Sequence, residues 1–327
     1  MLALQNNRLT CSNDVLCNTL SCLESASSSS HQRSVRSTQI CPLPSTYVES
    51  KHPHQIPLPR LTLAPLRIQP QSLDLLCFPE MAFSGYVFEN AAAITPYLEH
   101  PRTGTTSVFC SDLARKLKCY VLAGFPEILS PTEDRKINQV GANSAAFYGP
   151  DGEWVGGYRK THLYETDLTW AKPGVGCSIF LSFLFSLTFQ GTGFATFTLP
   201  SPLQTITLGI CMDLNPQIPE WTRAHGPYEI ADHCISTKSN ILILLNAWLD
   251  SQKEPEETHD WSTLNYWALR TRPLWSNGSD SDSSSSEEEQ DTSTSDPPIN
   301  ETLVVVCNRT GHENGQPNSV FIAIHRY

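Results

Sequence analysis

The sequence predicts an α/β fold with a mixed sheet. Three observations carry this. Short apolar strands alternate with helical stretches along the chain. One hairpin signal interrupts that alternation. Several strands are apolar on both faces, as strands buried between two layers are. The strand at residues 73–78 is led by Leu73, Leu75, Leu76, Cys77 and Phe78 and stopped by Pro79. Residues 105–118 carry Phe109, Leu113 and Leu117 on one helical face, with Arg115, Lys116 and Lys118 off it. Residues 120–125 form a second buried strand. Residues 143–148 and 153–159 flank Pro150-Asp151-Gly152, a turn sequence that predicts a hairpin. Residues 204–211 alternate strictly, with Ile206, Leu208 and Ile210 on one face. Residues 241–245 and 303–306 read as buried strands. Residues 259–270 read as an amphipathic helix through Trp261, Leu264 and Ala268.

Length and composition bound the rest. The chain has 327 residues, 39% of them hydrophobic and 17% charged, which indicates one large folded domain diluted by Ser- and Pro-rich segments. Residues 1–67 lack sustained periodicity and read as a low-order N-terminal segment. The Ser-rich first 40 residues, with only Asp14 and Glu24 acidic, read as a tail rather than a transit peptide. The domain proper spans 68–327. It contains an apolar insert at 177–191 and an acidic Ser-rich stretch at 276–299, which lacks the apolar content to order itself and reads as a disordered surface loop. That stretch holds seven of the eleven units of net negative charge, so the acidity is local. With no basic patch, nucleic-acid binding is not expected. No apolar run reaches membrane-spanning length, so no membrane partner is expected. Eleven scattered cysteines without a CxxC pair indicate a reducing compartment. The expected location is cytoplasmic, with a mitochondrial or nuclear pool allowed.

Chemistry concentrates in three segments. In FPEMAFSGY (78–86), Glu80 ends an apolar strand, where partial desolvation would raise its pKa. In YRKTHL (158–163), Lys160 follows the hairpin. In LGICMD (208–213), an alternating strand delivers Cys211 at its carboxyl end, where α/β sheets place active sites. Taken singly, each admits a plain reading: a surface glutamate, a solvated lysine, a buried inert thiol. His162 and His233 lack metal-ligand spacing, and no metal or cofactor is called for. There is no GxSxG elbow and no phosphate-cradling glycine loop.

Taken together and in this order, the three segments resemble the carbon–nitrogen hydrolase (nitrilase) superfamily. Within it, FPEMAFSGY, NSAAFYGPDGEWVGGYRKTHLYETD, GFATFTLP and GICMDLNP are similar to the fungal protein N-terminal amidases. The resemblance runs from about Leu73 to about Gly311. It implies an α-β-β-α sandwich. It also implies Cys211 as nucleophile, Glu80 as the base and Lys160 as stabiliser of the oxyanion. The activity it implies is deamidation of Asn or Gln at protein N-termini to Asp or Glu, feeding N-degron-dependent degradation. The partners are then protein or peptide N-termini that begin with Asn or Gln. The free α-amine of such a substrate calls for an acidic group near the pocket, with Glu165, Asp167, Asp213 and Asp250 as candidates; a carboxylate at 213 also suits bracing of the Cys211 turn.

Four departures from the family pattern are visible. Residues 1–67 show no counterpart of its first strand and helix. The slot of an auxiliary glutamate after the lysine holds Leu168, with Glu165 and Asp167 beside it. The insert 177–191 replaces a short turn and reads as translated intron in preference to an interface. The final strands expected after Asn308-Arg309-Thr310-Gly311 are curtailed. The sandwich is therefore expected to be incomplete at its N-terminal strand and C-terminal end. Three rivals follow: a general small-amide or carbamoyl hydrolase of the same superfamily, a catalytically inactive peptide-binding relic, and a papain-like protease that would require His162 or His233.

Overall fold

The computed structural model describes residues 2–5, 8–9, 68–174, 193–218, 222, 226–252, 260–275, 302–309, 311–313, 316–318 and 322–326. The insert 177–191 and the acidic stretch 276–299 lie outside the described residues.

In chain order the elements are β1 (Leu2–Gln5), β2 (Arg8–Leu9), β3 (Leu75–Phe78), α1 (Ala91–Ile94), α2 (Thr105–Leu117), β4 (Tyr120–Ile128), β5 (Gly141–Tyr148), β6 (Trp154–Arg159), α3 (Glu165–Leu168), β7 (Ala195–Thr198), β8 (Thr205–Ile210), α4 (Glu229–Thr237), β9 (Ile241–Asn246), α5 (Trp261–Arg270), β10 (Leu303–Asn308), β11 (Gly311–Glu313), β12 (Gln316–Asn318) and β13 (Ile322–Arg326). One sheet has the order β2-β1-β3-β4-β5-β6 and a second the order β13-β10-β9-β8-β7. In the first, β3 and β4 are parallel, while β4-β5 and β5-β6 are antiparallel. In the second, β8, β9 and β10 run parallel.

Side-chain alternation explains the layering. Leu75, Cys77, Leu122, Ala145 and Phe147 face one way and pack with Phe197, Leu208, Ile243 and Val305 of the other sheet. Their neighbours Leu76, Phe78, Val121, Ala123, Ala146 and Tyr148 face the other way, onto Cys110, Leu113 and Leu117 of α2. Ile230 and Cys234 of α4 and Leu264 and Trp267 of α5 join the second sheet's core. Strands covered on both faces are apolar at nearly every position, which is why 75–78 and 120–125 read as continuous apolar runs. The result is the expected α-β-β-α sandwich.

The structure corrects several local readings. The sequence pattern places no strand in residues 1–67, yet β1 pairs antiparallel with β3, with Leu2 opposite Cys77 and Leu4 opposite Leu75. That pairing covers the ladder groups that β3 would otherwise expose at a sheet edge. A four-residue strand is too short to show periodicity. At the other end, β13 pairs antiparallel with β10 from Leu303↔Arg326 to Cys307↔Ile322. In β8 the face opposite Ile206, Leu208 and Ile210 is covered as well. Thr207 is fully buried, and its hydroxyl shares hydrogen bonds with Thr196 (3.0 Å) and Ser239 (2.6 Å). In α5 the buried residues are Thr263, Leu264, Trp267 and Arg270, whereas Trp261 is 45% exposed.

Candidate active site

The sandwich brings one set of strand ends together. Glu80 follows β3, Lys160 follows β6 and Cys211 follows β8; Asn143 is the third residue of β5, whose start lies beside the end of β4. Glu80 and Lys160 are fully buried, and Cys211 is 7% exposed.

Lys160 is the centre of the cluster. Its Nζ donates to Glu80 Oε1 at 2.7 Å and to Asp167 Oδ2 at 2.6 Å. Asn143 Nδ2 bridges the same two carboxylates, at 2.7 Å from Glu80 Oε1 and 3.0 Å from Asp167 Oδ1. Asp167 Oδ2 also accepts from the Tyr164 backbone amide. Lys160 Nζ lies 5.6 Å from the centre of the Tyr86 ring. Burial alone would lower the lysine pKa, but Asp167 and Glu80 outweigh it and hold it well above 10.5, which favours the cation at neutral pH. Glu80 is raised from 4.5, because burial and the charge of Asp167 exceed the pull of Lys160 and Asn143. Glu80 Oε2 is buried with no hydrogen-bond partner among the described residues. That oxygen is free to take a proton.

Cys211 is held by its backbone. Its φ is +46°, and its amide donates to Asn246 Oδ1 at 3.1 Å. Met81, directly after Glu80, has φ +50°. A left-handed residue other than glycine costs roughly 1–3 kcal/mol and persists only where the surroundings enforce it. Two such residues flank this one cluster. Burial, then the charge of Glu80, pushes the Cys211 thiol well above 9.0; Lys160 and the Ala247 backbone amide pull the other way without reversing it.

Asp213 ties two of these segments together. Its Oδ1 accepts from the backbone amides of Thr161 (3.1 Å) and His162 (2.8 Å), and its Oδ2 from Tyr158 Oη (2.6 Å) and the Ile210 amide (2.7 Å). It therefore clamps the loop of Lys160 to the turn of Cys211. Gly124 of β4 lets the Glu80 turn approach: a Cβ there would lie 2.6 Å from Glu80 Cα and 2.8 Å from the Met81 amide nitrogen.

Of the acidic residues read from the sequence, Asp167 and Asp213 are buried inside this framework, whereas Glu165 is exposed and Asp250 half-buried. Leu168, the residue in the auxiliary slot, is 59% exposed, and Asp167, one position earlier, is the carboxylate that reaches Lys160. Four residues at the site are not singled out by the sequence: Asn143, Asn246, Gly124 and Arg309. Asn246 carries one legible signal, a polar amide at the end of a strand that is otherwise apolar; Asn143 stands beside Ser144 within β5 and carries none. His162 bonds through Nδ1 to the Asn215 carbonyl (2.6 Å) and lies 3.3 Å from Glu229 through Nε2. His233 Nε2 bonds to Thr196 Oγ1. Both histidines therefore have structural partners. Among the described residues no group of three His, Cys, Asp or Glu side chains is placed to hold a metal ion, and no helix is long and apolar enough to cross a membrane.

Comparison with known proteins fits this geometry. A profile of the carbon–nitrogen hydrolase family matches residues 28–218, a span that includes Glu80, Lys160 and Cys211. The chain belongs to the carbon–nitrogen hydrolase family. It is a hydrolase acting on carbon–nitrogen bonds other than peptide bonds. The match opens at residue 28, upstream of the first motif read from the sequence. The protein N-terminal amidase of Schizosaccharomyces pombe is 28% identical over 259 residues, covering 75% of this chain and 75% of that protein. Its namesake from Saccharomyces cerevisiae is 28% identical over 180 residues, 54% of this chain and 37% of that protein. A crystal structure of an N-terminal amidase with an Asn-Glu-Ala peptide superposes with a TM-score of 0.55 at 18% identity, covering 78% of this chain and 81% of that one.

Proposed function

We propose that this hydrolase removes the side-chain amide from Asn or Gln at the N-terminus of a protein, leaving Asp or Glu and releasing ammonia. The observation that carries the reading is the buried Lys160 held between Glu80 and Asp167 beside a left-handed Cys211. The relatives named protein N-terminal amidase supply the substrate class.

The geometry supports the following steps. Burial keeps the resting thiol protonated, so attack requires a base within the cluster. Glu80 takes the thiol proton on its free Oε2, and Lys160 offsets the two negative charges. The Cys211 sulfur adds to the amide carbon, and Lys160 stabilises the oxygen that becomes negative; losing such a donor typically costs on the order of 10²–10³ in rate. Glu80 returns its proton to the departing nitrogen, which leaves as ammonia. The thioester on Cys211 is then hydrolysed by a water whose proton Glu80 accepts, and the thiol is regenerated. These steps call for no cofactor. Asp167 orients Lys160, and Asp213 sets Lys160 and Cys211 in register.

The substrate's α-ammonium pairs with Glu165 or Asp250, the two accessible carboxylates of the four considered. Glu165 follows Tyr164, which packs against the cluster of Met81 and Ala247. The product N-terminus, acidic in place of amide, is the entry to N-degron-dependent degradation, in the cytoplasm. The test is ammonia release from short peptides that begin with Asn or Gln, run beside their N-acetylated forms and free small amides. Release from the free-amine peptides alone supports the proposal. Turnover of small amides without turnover of peptides assigns a general amidase instead, and Glu165→Gln should raise KM for peptides with little change in kcat.

A further inference from the structure

Besides the clamp at Asp213, the candidate site has a second connection, and it runs through the other sheet. Arg309 follows β10. Its backbone amide donates to the Asn246 carbonyl at 2.9 Å. Asn246, in turn, accepts the Cys211 amide on its side chain. The Arg309 guanidinium reaches across to the first sheet, where Nη1 donates to the carbonyls of Met81 (2.5 Å) and Glu80 (3.4 Å). A continuous path therefore links the two left-handed residues: Cys211 to Asn246, Asn246 to Arg309, and Arg309 to the turn that carries Glu80.

On its opposite side the same turn rests on Gly124, whose amide donates to the Pro79 carbonyl and whose carbonyl accepts from Ala82. Gly124 holds the turn against its own sheet, but nothing in that contact sets its distance from Cys211. Arg309 does so, because β10 is hydrogen-bonded to β9, which ends at Asn246. These two bonds from Nη1 hold main-chain carbonyls of the turn, so through them Arg309 acts on the position of Glu80 and not on the reacting atoms.

We propose that Arg309 is a positioning residue: it fixes the Glu80 turn relative to Cys211 and so sets the distance over which the thiol proton moves. The proposal rests on the reading of Glu80 as base to Cys211. Displacement of a reacting group by about 1 Å can cost on the order of 10² in rate. Arg309→Met removes the donors and keeps the aliphatic stem; Arg309→Lys keeps one cationic donor.

Two readouts separate this role from a merely structural one. The first is kcat and KM on an Asn-initiated peptide. The second is the alkylation rate of Cys211 by iodoacetamide, followed by peptide mass mapping, which needs no substrate. Arg309→Met should lower kcat at least tenfold with KM within about threefold, and slow Cys211 alkylation by a similar factor at a temperature where circular dichroism shows it folded. Arg309→Lys should recover part of both. Should Arg309→Met not fold, Arg309→Lys alone decides: an intermediate loss in both rates supports the proposal, and wild-type rates overturn it. Unchanged alkylation with reduced kcat also overturns it, because the base would then still reach the thiol. If wild-type protein alkylates selectively at Cys211 yet releases no ammonia from any Asn or Gln peptide, the substrate assignment fails while the alkylation comparison still tests Arg309.

Discussion

Replacing Lys160 with Met gives the sharpest consequence of the buried cluster. Met keeps a flexible unbranched stem close to that of lysine and removes the charge together with its two hydrogen bonds. In the native site Nζ stands 2.7 Å from Glu80 and 2.6 Å from Asp167, and all three side chains are 0–1% exposed. Without the cation, two carboxylates share one Asn143 amide in a buried site. Breaking a buried ion pair by removing one partner costs about 3–5 kcal/mol, and a domain of this size loses about 2–4 °C of Tm per kcal/mol, so the midpoint at pH 8 should fall by about 6–20 °C.

The cost depends on pH, and its sign can be worked out. Lys160 in the native protein is raised above 10.5, so its contribution is fully present below the unfolded value near 10.4 and constant between pH 5 and 8. Glu80 is already raised from 4.5, and losing Lys160 removes its main opposing charge. A carboxyl whose folded pKa is raised is stabilising at pH below its unfolded value near 4 and loses that contribution as pH rises through the folded pKa. The gap between variant and wild type should therefore widen from pH 5 to pH 8. Thermal unfolding followed by circular dichroism at both pH values measures it. An equal gap at the two pH values, or a gap under about 2 °C at pH 8, would refute the charge-cluster account.

Three further outcomes are expected. Cys211→Ala and Cys211→Ser should both abolish ammonia release with melting points near wild type, since a serine hydroxyl is far less acidic than a thiol; retention of more than a few per cent of activity removes Cys211 as nucleophile. Gly124→Ala should lower kcat more than it raises KM, because the added Cβ meets backbone atoms of the Glu80 turn 2.6–2.8 Å away, and steady-state kinetics with a melting curve distinguish this from simple destabilisation. The acid limb of kcat/KM should lie above the ordinary glutamate value of 4.5, following the upward shift of Glu80; a limb at or below 4.5 would mean that another group gates the reaction.

What the sequence discloses depends on how local the signal is. Glu80 and Cys211 each stand at the end of an apolar strand and Lys160 just past the hairpin; singly they admit plain readings, and the order of the three motifs, with the family it resembles, makes their convergence legible. The acidic partner of Lys160 is visible there only as an ambiguity between Glu165, Asp167 and the residue in the auxiliary slot. The short helix α3 resolves it by turning Leu168 outward and Asp167 inward. Arg309 and Gly124 act on backbone groups of a turn remote in the chain, 228 residues away for the bond from Arg309 to Met81, and no periodicity encodes such contacts. Strand β1 escapes a reading of the pattern because its four residues acquire their role only from the edge of β3 that they cover.

The central claim, that Cys211 attacks the side-chain amide of an N-terminal residue, is tested most directly by trapping the intermediate. The protein is mixed with an Asn-initiated peptide, quenched in acid and digested, and the mass of each cysteine-containing fragment is measured. The account predicts a thioester on the fragment bearing Cys211, with the peptide's mass less one ammonia, and none with the N-acetylated peptide. An adduct on another cysteine, or ammonia release from a Cys211→Ala variant, would contradict it.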